Sequence, residues 1–238
     1  MKRLVLIPGW RTRNLAMAVV LAVMISLVFS VVRQGSAVVS SQMSGTHTVV
    51  IDPGHGGYDP GAVSKQGIYE KEINLEIAAR VAEQLKPSGM KVILTRDEDE
   101  DYVPGGVRGR TSKKQTDLNY RINLANRAQA DVLVSIHVNA TTGGLKSGAE
   151  TFYNPDSVEG TRLAEAIQRE LIKVPGMNRR IAKPGDFYLL KNCSMPAVIV
   201  EVGYLNNPAE LKRLQQPWYL EYLAHAIAKG IGGYFGLP

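Results

Sequence analysis

Three apolar, largely β-branched runs in this chain each hand over to a side chain that can bind a metal or move a proton, and that repetition restricts the fold most. Val49-Val50-Ile51-Asp52 enters Pro53-Gly54-His55-Gly56-Gly57, Val132-Leu133-Val134-Ser135-Ile136 delivers His137, and Ala197-Val198-Ile199-Val200 delivers Glu201. Runs this short and apolar read as strands buried on both faces, and the Pro-Gly loop turns the first one sharply at its exit. In α/β proteins chemistry collects at such strand ends. One site at the carboxyl edge of one sheet is therefore predicted.

The segments between these strands have helical periods. Tyr69 to Lys86 places Ile73, Ile77, Val81 and Leu85 on one face and is stopped by Pro87-Ser88-Gly89. Further helices are expected over Leu118 to Gln129, Thr161 to Ile172 and Pro217 to about Phe235, with strands at Met90 to Thr95, Ala149 to Tyr153 and Phe187 to Leu190. This alternation predicts a single α/β domain over residues 47–238, with a mostly parallel twisted sheet flanked by helices. Between Thr95 and Leu118 the apolar period disappears. Asp97 to Asp101 is acidic, while Arg108, Arg110, Lys113 and Lys114 are basic, which reads as a solvated surface loop; its length leaves a substrate-contacting role open.

Ahead of the domain, residues 1–14 form a basic start, and Leu15 to Val32 is an apolar run of 18 residues. As a helix it spans roughly 27 Å, near the hydrocarbon thickness of a bilayer. Four basic residues before it and Arg33 after it keep the N-terminus cytoplasmic and export the rest. The run is longer than a usual signal core, which favours an uncleaved membrane anchor over a signal cut near Gly35-Ser36-Ala37. Residues 33–46 read as a linker. The formal charge of +6 sits largely in this region: without Lys2, Arg3, Arg11, Arg13 and Arg33, 23 basic residues face 22 acidic ones, so nucleic acid is not an expected partner.

A single cysteine, Cys193, excludes an internal disulfide and a multi-cysteine zinc site, and it reads as a small buried hydrophobe. With His55 and His137 on two strand exits, the third metal ligand is expected to be a carboxylate, and two histidines with one glutamate form a known catalytic zinc set. Taking Ile73 as zero and about 100° per residue, Ile77, Val81 and Leu85 fall near 40°, 80° and 120°. Glu70 falls at about 60°, inside that stripe, whereas Glu72 and Glu76 fall near −100° and −60°. Glu70 is the expected ligand. Glu201, a glutamate closing a buried strand, is read as the general base, the structural alternative being an ion pair with Arg121 or Arg96. His47 and His225 are expected to be surface or packing residues.

Read together, Asp52-Pro53-Gly54-His55-Gly56-Gly57, Glu70-Lys71, Leu94-Thr95-Arg96, Arg121-Ile122-Asn123-Leu124-Ala125-Asn126, Ser135-Ile136-His137-Val138-Asn139-Ala140 and Glu201-Val202-Gly203-Tyr204-Leu205-Asn206-Asn207 resemble the zinc-dependent N-acetylmuramoyl-L-alanine amidases of the Amidase_3 type. The resemblance runs over residues 47–236 in the family's order. It implies Zn2+ on His55, Glu70 and His137, Glu201 as catalytic acid/base, and hydrolysis of the amide joining the lactyl group of muramic acid to L-alanine in peptidoglycan. The short form with one membrane segment and a charged insert is most similar to the germination-specific members found in spore formers, which prepare spore cortex for muramic δ-lactam formation. A zinc peptidase or deacetylase on the same polymer, or a tethered peptidoglycan-binding protein with a vestigial metal site, are the competing expectations. The need for an accessory protein is left open.

Overall fold

The computed structural model describes residues 46–141 and 146–237, together with Leu21, Val23, Met24 and Ser26. Apart from those four helical residues, the expected anchor or signal over 15–32, the basic start and nearly all of the linker lie outside the described residues. Among the described residues no helix is long and apolar enough to cross a membrane. The chain divides into Met1–Gly45 and Thr46–Pro238, and the following concerns the second unit.

Its elements run β1 (Thr48–Pro53), α1 (Glu70–Leu85), β2 (Lys91–Leu94), α2 (Arg110–Arg127), β3 (Val132–Asn139), β4 (Glu150–Tyr153), α3 (Val158–Leu171), β5 (Lys183–Pro184), α4 (Tyr188–Asn192), β6 (Ala197–Tyr204), α5 (Pro208–Leu214) and α6 (Pro217–Tyr234). The strands form one sheet in the order β2-β1-β3-β6-β4-β5. Only the β4 to β6 pairing is antiparallel, so the sheet is mostly parallel, as expected.

Alternation along the strands divides the core. Val49, Ile51, Val134, Ile136, Val198 and Val200 face the layer that holds α1, α3 and α6, while Val50, Leu133, Ala197 and Ile199 face α2 and α4. Because both faces are covered, the central strands are apolar throughout, which is why they were conspicuous in the sequence. His137 and Glu201 continue the second set and project toward the α2 and α4 side. There, α2 and the five-residue α4 leave a cleft between them.

Three expectations need correction. The helix expected from Leu118 begins at Arg110, and its first two turns contain no apolar side chain. Its buried residues include Asp117 and Arg121, which pair instead of packing, so no hydrophobic period marks the start. Phe187 to Leu190 is not a strand: Tyr188–Asn192 is a short helix whose buried Leu189 and Leu190 suit either conformation. Finally, the acidic part of the insert is not merely solvated. Asp99 accepts from Gly57 N (2.9 Å) and Lys71 Nζ (2.7 Å), and Asp101 accepts from Tyr58 N (3.1 Å), tying the insert to the glycine loop.

Candidate metal centre

The loop after β1 carries His55 in the left-handed region, with φ 62°, where a side chain is strained unless its surroundings hold it. Two buried guanidinium groups do so. Arg96 Nε and Arg121 Nη2 donate to the carbonyl of His55 at 2.7 and 2.8 Å, and the same two side chains donate to the carbonyl of Pro53 at 3.0 and 2.8 Å. Arg96 Nη2 and Asn74 Nδ2 hold the carbonyl of Gly54 at 3.0 and 3.1 Å. Arg121 is in turn charge-matched by Asp52 (2.8 Å) and Asp117 (2.7 Å). Burial works against ionisation of Asp52, yet Arg121 and the hydroxyls of Ser135 and Thr95 hold its carboxyl down at about 2. Arg96 and Arg121 thus serve the His55 loop and not Glu201, which removes the ion-pair alternative for that glutamate.

Gly54 is required by its neighbour: a Cβ there would lie 2.2 Å from Cε1 of the His137 ring. The ring lies against bare backbone and reaches Glu70. Glu70, at the first position of α1, is buried on the inward stripe, as the helical angle predicted. Its Oε1 lies 3.2 Å from His55 Nε2 and 3.0 Å from His137 Nδ1. One donor atom from each of the three residues falls within 4.8 Å of the others. Ligands about 2.1 Å from a tetrahedral zinc lie about 3.4 Å apart, so this donor set and its spacing fit that ion.

The carboxylate's remaining capacity is used to fix it, by Ala62 N on Oε2 (2.8 Å) and Val138 N on Oε1 (3.1 Å). His55 Nδ1 is engaged by Asp59 Oδ2 at 2.8 Å, which turns Nε2 toward Glu70. Burial would lower the His55 pKa, but Asp59 and Glu70 raise it to about 9, and Glu70 itself is held well below the usual carboxylate range by the two histidines despite its burial. The pocket favours positive charge at this point. A dication answers the same field, and its binding displaces protons.

Glu201 stands on β6 directly opposite His137 in the parallel register. Its Oε2 is buried without a hydrogen-bond partner among the described residues. Burial pushes its pKa up to about 7, with Glu70 adding to the shift and His137 opposing it. A carboxyl of that kind is poised to take and return a proton. It lines an open cleft of about 490 Å³ together with His55, Glu70 and His137.

The structure therefore brings together all four residues singled out in the sequence. It adds Asp59, Asn74 and Asp117, which no sequence signal tied to the site, and moves Arg96 and Arg121 from Glu201 to the His55 loop. The other candidates lie elsewhere: His47 stacks on Phe235 with centroids 4.0 Å apart, His225 is exposed, and half-buried Cys193 packs with Leu189 and Leu190, its thiol pushed up to about 12 by burial.

The chain is similar to known proteins over most of this domain. The family model described as N-acetylmuramoyl-L-alanine amidase matches residues 49–232. The germination-specific N-acetylmuramoyl-L-alanine amidase of Bacillus subtilis is 39% identical over 188 residues, covering 79% of each chain. Among solved structures, the CwlD amidase of Clostridioides difficile in complex with the GerS lipoprotein superposes with a TM-score of 0.76 at 38% identity, over 80% of this chain and 99% of that one. An N-acetylmuramoyl-L-alanine amidase from Clostridium difficile 630 gives 0.72 at 34% identity, over 81% and 98%.

Proposed function

Because the chain belongs to the N-acetylmuramoyl-L-alanine amidase family and is an amidase acting on peptidoglycan, we propose that His55, Glu70 and His137 hold zinc and that Glu201 is the acid/base of amide hydrolysis. The observation that carries this reading is the convergence of three fixed donors beside a buried carboxylate oxygen that has no partner of its own. Bound zinc supplies Lewis acidity toward a carbonyl oxygen and toward water. Glu201 takes a proton from the attacking water as its oxygen bonds to the lactyl carbonyl carbon. As the carbon–nitrogen bond breaks, Glu201 gives that proton to the L-alanine nitrogen. A free lactyl carboxyl group and a free peptide amine result.

The finer placement is spore cortex, where removing stem peptides opens the way to muramic δ-lactam. It is supported by similarity to the germination-specific relative over most of both chains. We further infer that the apolar segment over 15–32 exports the domain and tethers it to the membrane, and that an accessory protein engages it, since one relative is in complex with a lipoprotein. Mass spectrometry of muropeptides digested with the purified protein, with zinc and with chelator, tests the chemistry. Zinc-dependent release of peptides beginning with L-alanine is expected; acetate release would identify a deacetylase, and binding without turnover a vestigial site. Full-length protein is expected to resist carbonate extraction and keep its Met-Lys-Arg start, whereas a mature N-terminus near Val38 would mean a secreted form.

A further inference from the structure

Beside the metal centre, on the far side of His55, lies a small hollow of about 100 Å³ walled by His55, Tyr58, Asp59, Gly61, Arg110 and Lys114. His55, Asp59 and Lys114 also line the main cleft, so the two spaces adjoin across these side chains. Arg110 and Lys114 stand four residues apart on the first turns of α2, which places them on one helical face. Among the described residues, neither has a carboxylate oxygen within 4.0 Å, whereas Asp59, the acid of the hollow, is engaged by His55. Of the other basic residues in this stretch, Arg108 lies outside the hollow and Lys113 sits over the Tyr58 ring, 5.4 Å from its centroid. Two exposed cations outside any ion pair within 4.0 Å therefore face a polar hollow whose one acid, Asp59, is shared between His55 and the more distant Lys114, and whose wall includes the candidate ligand His55.

We propose that Arg110 and Lys114 form a subsite for a carboxylate of the stem peptide, on the residue that follows L-alanine. The inference rests on the amidase reading given above. Its chemistry is restrictive. The lactyl carboxyl is consumed in the scissile amide and N-acetylated sugars are neutral, so an anion close to the reacting carbonyl comes from the peptide side. The α-carboxylate of the residue after L-alanine lies roughly 6 Å along the chain from the scissile nitrogen, which places its partner close to the metal centre, as this hollow is through His55. Arg110 offers a planar fork that suits a carboxylate, and Lys114 adds a point charge beside it.

The test compares two glycan-linked substrates that differ only after L-alanine, one carrying a glutamate with its α-carboxylate free and the other with that group as a carboxamide. Full-length protein carrying R110Q and K114Q is expected to show KM raised roughly tenfold on the carboxylate substrate, with kcat nearly unchanged. KM on the carboxamide should stay at the wild-type value, and zinc content should stay at wild type. The charge-preserving pair R110K and K114R should recover most of the affinity, and R108Q should change nothing. An equal loss on both substrates, or no loss on either, overturns the subsite while leaving the amidase reading intact. Failure of the wild-type protein to cleave either substrate sinks the amidase reading, and the subsite with it.

Discussion

The two sides of the cleft are built on opposite principles. On the β1 and α1 side, donors hold the three loop carbonyls from Pro53 to Gly54 and His55, and Glu70 is fixed by two backbone amides. On the β6 side, Glu201 has a buried oxygen with no partner. The difference suits the work proposed for each. A metal ligand has to be in position before the ion arrives, and fixing it in advance lowers the cost of binding. A proton carrier has to be nearly balanced between its two forms, and fixing either form with hydrogen bonds would destroy that balance.

The largest expected effect breaks the fixed side. With zinc held as proposed, Glu70→Ala would remove one of its three protein bonds, so metal content by atomic emission and amide cleavage should both fall to background. On the other side, Glu201→Gln should keep full zinc while turnover falls by roughly 10²–10⁴-fold. If Glu201→Gln loses zinc and Glu70→Ala retains it, the contrast between the two sides is inverted. A smaller effect is expected from the support beneath. Arg121→Lys replaces a forked donor with a point charge, and zinc affinity measured by chelator competition should fall about 10–100-fold. An unchanged zinc affinity would mean that Arg96 alone suffices to hold the His55 carbonyl.

The smallest effect is on stability. The Asp52 carboxyl titrates at about 2 in the fold against the usual 3.8, so its contribution is present above that ordinary value and is lost as pH falls through the folded one. Urea unfolding compared at pH 5 and pH 2.5 should show a loss on the order of 2 kcal/mol from this group. A flat profile would show that the Asp52–Arg121 pair adds nothing to the fixed side.

How much of this was legible in the sequence divides along similar lines. The exits of β1, β3 and β6 could be read because strands covered on both faces are unbroken apolar runs, and Glu70 because it shares the stripe of Ile73, Ile77 and Val81. What holds the site could not be read that way. Arg96, Arg121 and Asp59 act through hydrogen bonds, which leave no periodic trace, and Arg96 meets the His55 carbonyl across 41 residues of chain. The start of α2 was missed for the same reason, since its buried face is an ion pair. α4 was misread because two adjacent leucines do not distinguish a short helix from a strand.

The register of His137 against Glu201 has one more consequence. Side chains on a strand alternate between faces, so a slip of β6 by a single residue would turn Glu201 out of the cleft and into the aliphatic layer of Leu163, Ile167 and Leu223. Burying an unpaired carboxylate there is prohibitive, and Val200 or Val202 would be left facing the substrate. Misassembly and loss of chemistry are therefore the same event. The acid proposed for the reaction would thus also proofread the sheet, since a shift of this strand cannot give a properly packed protein that has lost only its chemistry.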